Sequence, residues 1–256
     1  MGLTTLIAAL ALATPQQFLA AHQLADGGFA ETGGTSDVAL TAWALLGLRA
    51  ANAPADERYL RTHESELRTP TEIALGVLAE PRPSNPLLTR LEAVPDAAAV
   101  NVTAWKVLAL VGAGKSVPRV DVTFLLRAQT TGGGWSWARG VAPDSNDTAA
   151  SVQALRAAGV GGRPISRALR YLRRFENRDG GFALTPGRGS DAQSTAWAIQ
   201  AFVAARATPP RAAFRYLARL RRPDGSYRYS TRYAITPVWV TAQVLPALAR
   251  RAFPLR

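Results

Sequence analysis

Two carboxylates stand three residues apart just ahead of an apolar helix. They are Asp144 and Asp147, with Asn146 between them and Thr148 next in line. Carboxyl groups clustered in a dry site raise one another's pKa, and one of them then keeps its proton near neutral pH. A group held that way can act as a general acid. Asn146 carries an amide and cannot donate such a proton. Asp37 and Asp191 point to a different role for Asp144, because each stands four residues before a Thr, as Asp144 does. A carboxylate recurring just before an apolar helix has the signature of an N-cap. Asp144 is therefore expected to cap, which leaves Asp147 as the residue peculiar to this stretch.

A second set of candidates is aromatic. Trp43, Trp105 and Trp197 each sit two residues after a Thr in an apolar segment, and Trp239 opens the last such segment. Indole faces lining a hydrocarbon cavity would stabilise a developing cation. The other account is packing between layers of helix.

Composition removes much other chemistry. The chain has no Cys and only two His, at 22 and 63. Disulfides, a Cys nucleophile and a thiolate zinc site are excluded, and neither His has the surroundings of a Ser-His-Asp triad. The net charge is +12, with Lys only at 106 and 115 and Arg supplying the rest of the basic residues. The Arg residues are spread along outer faces and not gathered in one patch, so nucleic acid is not an expected partner. A basic surface still allows peripheral contact with an acidic membrane.

These candidates recur because the chain repeats itself. An aromatic-Leu pair precedes a Gly-rich turn that ends in an aromatic, and a Thr follows twelve to fourteen residues later. The copies run Phe18, Leu19, Gln23, Gly27, Phe29, Thr41; Phe124, Leu125, Gln129, Gly133, Trp135, Thr148; Tyr171, Leu172, Gly180, Phe182, Thr195; and Tyr216, Leu217, Gly225, Tyr227, Thr241. A period above forty residues signals stacked supersecondary units. The first helix of each unit is amphipathic: Ile165, Ala168, Leu169, Leu172 and Phe175 share one stripe, as do Ala213, Tyr216, Leu217 and Leu220. The second is apolar nearly all round over 38–48, 102–111 and 195–203, as a helix surrounded by protein must be. The Thr positions 41, 103, 148, 195 and 241, with a degenerate match at Thr71, give six inner helices, and units two and three are short. The expected fold is all-α, a closed double ring of about six helical hairpins in one domain over 14–256. Gln23 and Gln129 are expected to tie a turn to a helix end.

The aromatic-Leu-x-x-x-Gln…Gly-x-Trp phrase resembles the QW repeat of squalene-hopene cyclases. The turns Asp26-Gly27-Gly28-Phe29 and Asp179-Gly180-Gly181-Phe182, followed by Thr-Ala-Trp-Ala, resemble the repeats of protein prenyltransferase β-subunits. The resemblance covers about 15–248 and implies the α/α toroid of terpenoid cyclases and prenyltransferases. Pro143-Asp144-Ser145-Asn146-Asp147-Thr148-Ala149 is similar to the Asp-x-Asp-Asp-Thr-Ala motif of class II terpene cyclases, whose central Asp is the proton donor; here that position is Asn146. The zinc set of protein prenyltransferases (Asp, Cys, His) cannot be assembled, inner-helix Lys and His to hold a diphosphate are missing, and no Asp-rich magnesium motif is present. No cofactor or metal is expected.

Two functions from different classes follow. The first is a toroid holding an isoprenoid or similar apolar ligand in its central cavity, extending to a divergent class II cyclase that uses Asp147 with Asp144 and Asn146. The alternative is a non-catalytic exported toroid that binds a ligand or partner, in the manner of cobalamin carriers. Residues 1–13 end in Ala11-Leu12-Ala13 and are expected to be a cleaved export signal. Thr14-Pro15 then reads as an N-cap and first helical position.

Overall fold

The computed structural model describes residues 13–138 and 140–255. The expected export signal thus lies outside the described residues, apart from Ala13. Twelve α-helices are present among the described residues, and the remaining pairings are isolated β-bridges.

The helices alternate between two layers. The inner ones are α2 (Val38–Ala50), α4 (Pro70–Ala79), α6 (Val100–Gly112), α8 (Ser145–Ala157), α10 (Ala192–Ala204) and α12 (Pro237–Leu248). Each packs on the next, and α12 packs on α2, so the inner layer is a closed ring of six. The outer ones are α1 (Pro15–Ala20), α3 (Arg58–His63), α5 (Asn85–Glu92), α7 (Arg119–Ala128), α9 (Arg163–Leu172) and α11 (Arg211–Leu220). α1, α5, α7 and α9 each touch two neighbouring inner helices. The expected stripes are the buried faces: Ile165, Ala168 and Leu172 on α9, and Ala213, Tyr216, Leu217 and Leu220 on α11. Thr14 caps α1 ahead of Pro15, in a reciprocal capping box with Gln17.

The repeated phrase is a set of ties between layers. The turn aromatics Phe29, Trp135, Phe182 and Tyr227 are buried. Their backbone N–H groups donate to the hydroxyls of Thr41, Thr148, Thr195 and Thr241 at 2.8, 3.0, 2.9 and 2.9 Å. Three of their carbonyls accept from the N–H groups of Asp37, Asp144 and Asp191. One threonine thus satisfies a buried donor that would otherwise be orphaned. Gln23 donates to the carbonyls of Gly27 and Asp56, and Gln129 to those of Gly133 and Pro164, tying each turn to the next outer helix. Gly133 sits at φ +103°, and a Cβ there would lie 2.8 Å from the carbonyl oxygen of Arg167. Only Gly satisfies both the backbone angle and the approach.

Units two and three lack this turn. Short links join α3 to α4 and α5 to α6, so no aromatic N–H reaches Thr103, whose buried hydroxyl has no partner among the described residues. Thr71 is not an anchor: it lies in the first turn of α4, with its hydroxyl 3.2 Å from that of the N-cap Thr69.

Closure joins residues more than two hundred positions apart. The Glu31 carboxylate accepts from the N–H groups of Val238 and Trp239 at 3.0 and 2.9 Å. α12 has no side-chain cap of its own, and Glu31 supplies one from the first unit. Gly47 lets α2 come close to α12, where a Cβ would meet the Ala242 carbonyl oxygen at 2.7 Å. Ala13 donates to the Pro223 carbonyl and accepts from Arg221, which brings α1 against the last turn.

Candidate functional site

The inner helices run parallel through the ring, so their first turns share one end of it. On α8 this end carries the acidic stretch. Asp144 is the N-cap and its Oδ1 accepts from the N–H of Asp147 at 2.8 Å. Asp37 and Asp191 do the same for α2 and α10, accepting from Leu40 and Ser194 at 2.7 Å. The capping role expected from their recurrence is what the structure shows.

Asp147 differs from the residues at its register. In α10 that place belongs to Ser194, whose hydroxyl donates to the Asp191 cap at 2.8 Å. In α8 it is a carboxyl. Burial and the neighbouring Asp144 carboxyl raise the Asp147 pKa far above the usual carboxylate range, to about 8. This is the electrostatic state a general acid needs. Asp191 is raised to about 6, mainly by burial. Asn146 accepts from the Ser145 hydroxyl at 3.3 Å. Asp147 is turned about 100° around the helix from Asn146, and it belongs with its own cap.

The ring axis is aromatic. Trp43, Trp105 and Trp197 meet there edge to face, with centroids 5.5 to 6.3 Å apart. Phe253, from the segment after α12, packs on all three at 5.9 to 6.4 Å. The convergence matches the spacing of these residues in the sequence, but the indole faces are occupied by one another and by Phe253. Trp239 is not part of the cluster and lies beside Glu31 and Leu40 at the α2–α12 seam.

Three further axis residues carry no mark in the repeat phrase itself. Gln243 accepts from the Trp197 indole N–H at 2.9 Å and from Gln193 at 3.1 Å. Gln153 accepts from the backbone N–H of Phe253 at 2.9 Å. Gln200 donates to the Ala196 carbonyl. The sequence reading missed all three; Gln153 and Gln200 each stand five residues after an anchor Thr, and that recurrence is the signal that could have marked them. The expectation that the inner helices carry no Lys is corrected here: Lys106 stands on α6, but it faces the outer layer and not the axis. There it donates to the Val94 carbonyl at 2.7 Å and pairs with Asp96 and Asp121.

The largest apolar cavity described, about 1060 Å³, lies off the axis between the start of α6, α7 and the 136–142 loop. Ala98, Ala99, Val100, Phe124, Ala128 and Val141 make half of its lining, Arg127, Thr130 and Ser136 add polar groups, and Asp144, Asn146 and Asp147 are not part of it. Among the described residues no helix is long and apolar enough to cross a membrane.

Solved structures share this architecture. A protein from Actinoplanes aligns with a TM-score of 0.59 at 20% identity, over 92% of this chain and 97% of that one. The ent-copalyl diphosphate synthase from Streptomyces platensis aligns at 0.56 and 21% identity. That match covers 83% of this chain but half of the synthase. A variant of the type II terpene cyclase MstE from Scytonema, in complex with geranylgeranyl dihydroxybenzoate, aligns at 0.51 and 16% identity, over 92% of this chain and 95% of that one. The fold is that of the terpenoid cyclase toroid. At these identities the likeness is one of fold. No protein-family model and no curated protein sequence matches the chain. Within the toroid, acid, aromatic cluster and apolar cavity occupy three separate places.

Proposed function

We propose that this toroid binds an apolar, isoprenoid-like molecule and does not transform it. The observation that carries the reading is an apolar cavity of about 1060 Å³ with no acid in its wall. Ligand pockets commonly span about 300–1,000 Å³, so the space suits a long hydrocarbon. Cyclisation needs the proton donor in reach of the alkene, and Asp147 sits with its cap instead. The isoprenoid class is supported by a neighbour in fold, MstE, solved with a geranylgeranyl-bearing substrate.

A second reading has one specific support. Asp147 beside Asp144 has the raised pKa of a cyclase acid, and a divergent class II cyclase would use it. The two readings separate in one experiment. Equilibrium binding of geranylgeraniol should be weakened at least about tenfold by Ala128→Trp, which fills the cavity, and left unchanged by Asp147→Asn. Mass spectrometry of incubations with squalene and geranylgeranyl diphosphate should find no cyclised product. Turnover by the unaltered protein that Asp147→Asn abolishes would overturn the binding reading. So would binding indifferent to Ala128→Trp.

A further inference from the structure

Helix α9 carries four arginines on one stripe. Arg163, Arg167, Arg170 and Arg174 lie within about 60° of one another around the helix and span about 16 Å along it. Together with Thr131, Gly132 and Tyr171 they line a concavity of about 380 Å³, and no acidic residue is part of that lining. The reading of the arginines as spread without a patch does not hold on this helix. The chain is also lopsided in charge: residues 156–256 hold 19 of the 30 Lys and Arg but only 4 of the 18 Asp and Glu.

This charge is unanswered within the chain. Arg163, Arg170 and Arg174 make no ion pair or hydrogen bond among the described residues, and Arg174 lies over the Tyr171 ring at 5.4 Å. Arg173, off the stripe, pairs with Glu176 at 3.1 Å. Arg167 donates from Nη2 to the carbonyls of Thr130 and Thr131 at 2.6 and 3.0 Å, which fixes it beside the turn and leaves its other N–H groups free. Like charges three and four residues apart on a helix repel, so the stripe has a local cost. The matching places in other units avoid it. Gly27 is faced by Asp56, which pairs with Arg58 at 2.6 Å, and Gly180 is faced by Ala212, where Gly133 is faced by Arg167. Across the concavity the N–H groups of Thr131 and Gly132 and the Thr131 hydroxyl have no partner among the described residues. The turn thus adds donors to those of the helix.

A guanidinium meets phosphoryl oxygens in paired N–H···O bonds. A carboxylate offers one such edge. A chain of phosphoryl groups offers several, with its charges as closely set as those of the stripe. We propose that the α9 concavity binds an oligophosphate, a short chain of phosphoryl groups carrying several negative charges. Arg163, Arg170 and Arg174 take its oxygens, Arg167 holds the rim against the turn, and Thr131 and Gly132 close the other wall. The site belongs to the outer layer and has its own ligand, apart from the apolar cavity beside α7.

The test titrates the full chain with sodium tripolyphosphate by calorimetry at about 0.1 M salt, beside inorganic phosphate and sulfate. One double variant, Arg163→Gln with Arg170→Gln, removes two charges from the stripe. A second, Arg211→Gln with Arg215→Gln, removes two from α11 and leaves the net charge the same as the first. Tripolyphosphate should bind at least roughly tenfold more tightly than phosphate or sulfate. It should lose at least about tenfold in the α9 variant and less than about twofold in the α11 variant. It should also raise the melting temperature of the unaltered protein and not that of the α9 variant. Without ligand the α9 variant should melt no lower than the parent, because repulsion is relieved. Vesicles of phosphatidylcholine with a bisphosphorylated phosphoinositide separate the sources. Capture that tripolyphosphate reverses makes the source a lipid headgroup, and no capture makes it a free oligophosphate; either upholds the site. No binding of tripolyphosphate, equal losses in both variants, or sulfate binding as tightly overturns the proposal. So does capture by phosphatidylglycerol vesicles that tripolyphosphate leaves in place, or tighter binding of single-stranded DNA of about ten nucleotides than of tripolyphosphate.

Discussion

The hydroxyl of the threonine that anchors each full unit accepts the N–H of a buried turn aromatic, and in Thr41 and Thr195 it also donates to the carbonyl of the capping Asp. Thr148→Val should therefore orphan the Trp135 N–H and cost about 1–3 kcal/mol. Thr103 occupies the same register with no such donor, and Thr103→Val should stay within about 0.5 kcal/mol of the parent or exceed it. Denaturant midpoints at constant slope measure both. Asp147 sets a pH dependence. Its folded pKa of about 8 lies above the unfolded value of 3.8, so the folded state binds the extra proton. That stability is full below the unfolded pKa and is lost as pH rises through about 8. Glu80, raised to about 7 chiefly by burial, and Asp191, at about 6, act in the same direction. Asp147→Asn should flatten the upper part of the decline, seen as a smaller drop in melting temperature between pH 6 and 9. An unchanged profile would mean that the carboxyl is ionised throughout. The caps were legible because Asp37, Asp144 and Asp191 share a position. The separation of Asp147 from the apolar cavity was not, because helical direction shows only in three dimensions.

At the scale of the element, local chemistry named most of the helices. Thr14-Pro15 starts α1, and the stripes of α9 and α11 are the faces they bury. Thr71 misled because units two and three have no Gly-rich turn, so nothing there requires an anchor. Phe253 was silent because it follows the last repeat and has no counterpart with which to be compared. Three substitutions test the turns and caps. Gly133→Ala places a Cβ against the Arg167 carbonyl at positive φ and should cost about 3 kcal/mol or more. Gly159→Ala has a similar φ and no heavy atom within 4 Å of the new Cβ; it should cost only the backbone strain, about 1–2 kcal/mol. Glu31→Ala removes the carboxylate that caps α12 and should cost about 1–2 kcal/mol by thermal melt.

For the whole molecule, the seam between α12 and α2 is a contact like those between the other inner neighbours. Deleting residues 209–256 should therefore unfold the protein cooperatively, because it bares the flanks of α10 and α2 together. A truncated protein with its helical content and melting temperature unchanged would show that the ring does not act as one unit. The borrowed cap has a further consequence. An open solenoid can gain or lose a repeat at its ends and keep every other contact. Here the sixth hairpin must meet the first at a fixed place, where Glu31 reaches Val238 and Trp239 and Gly47 meets Ala242. A seventh hairpin would lengthen the circumference, draw those partners apart and widen the hole that Trp43, Trp105, Trp197 and Phe253 now fill. Copy number is thus fixed by geometry, and the bore of the ring can change only through the side chains that face it.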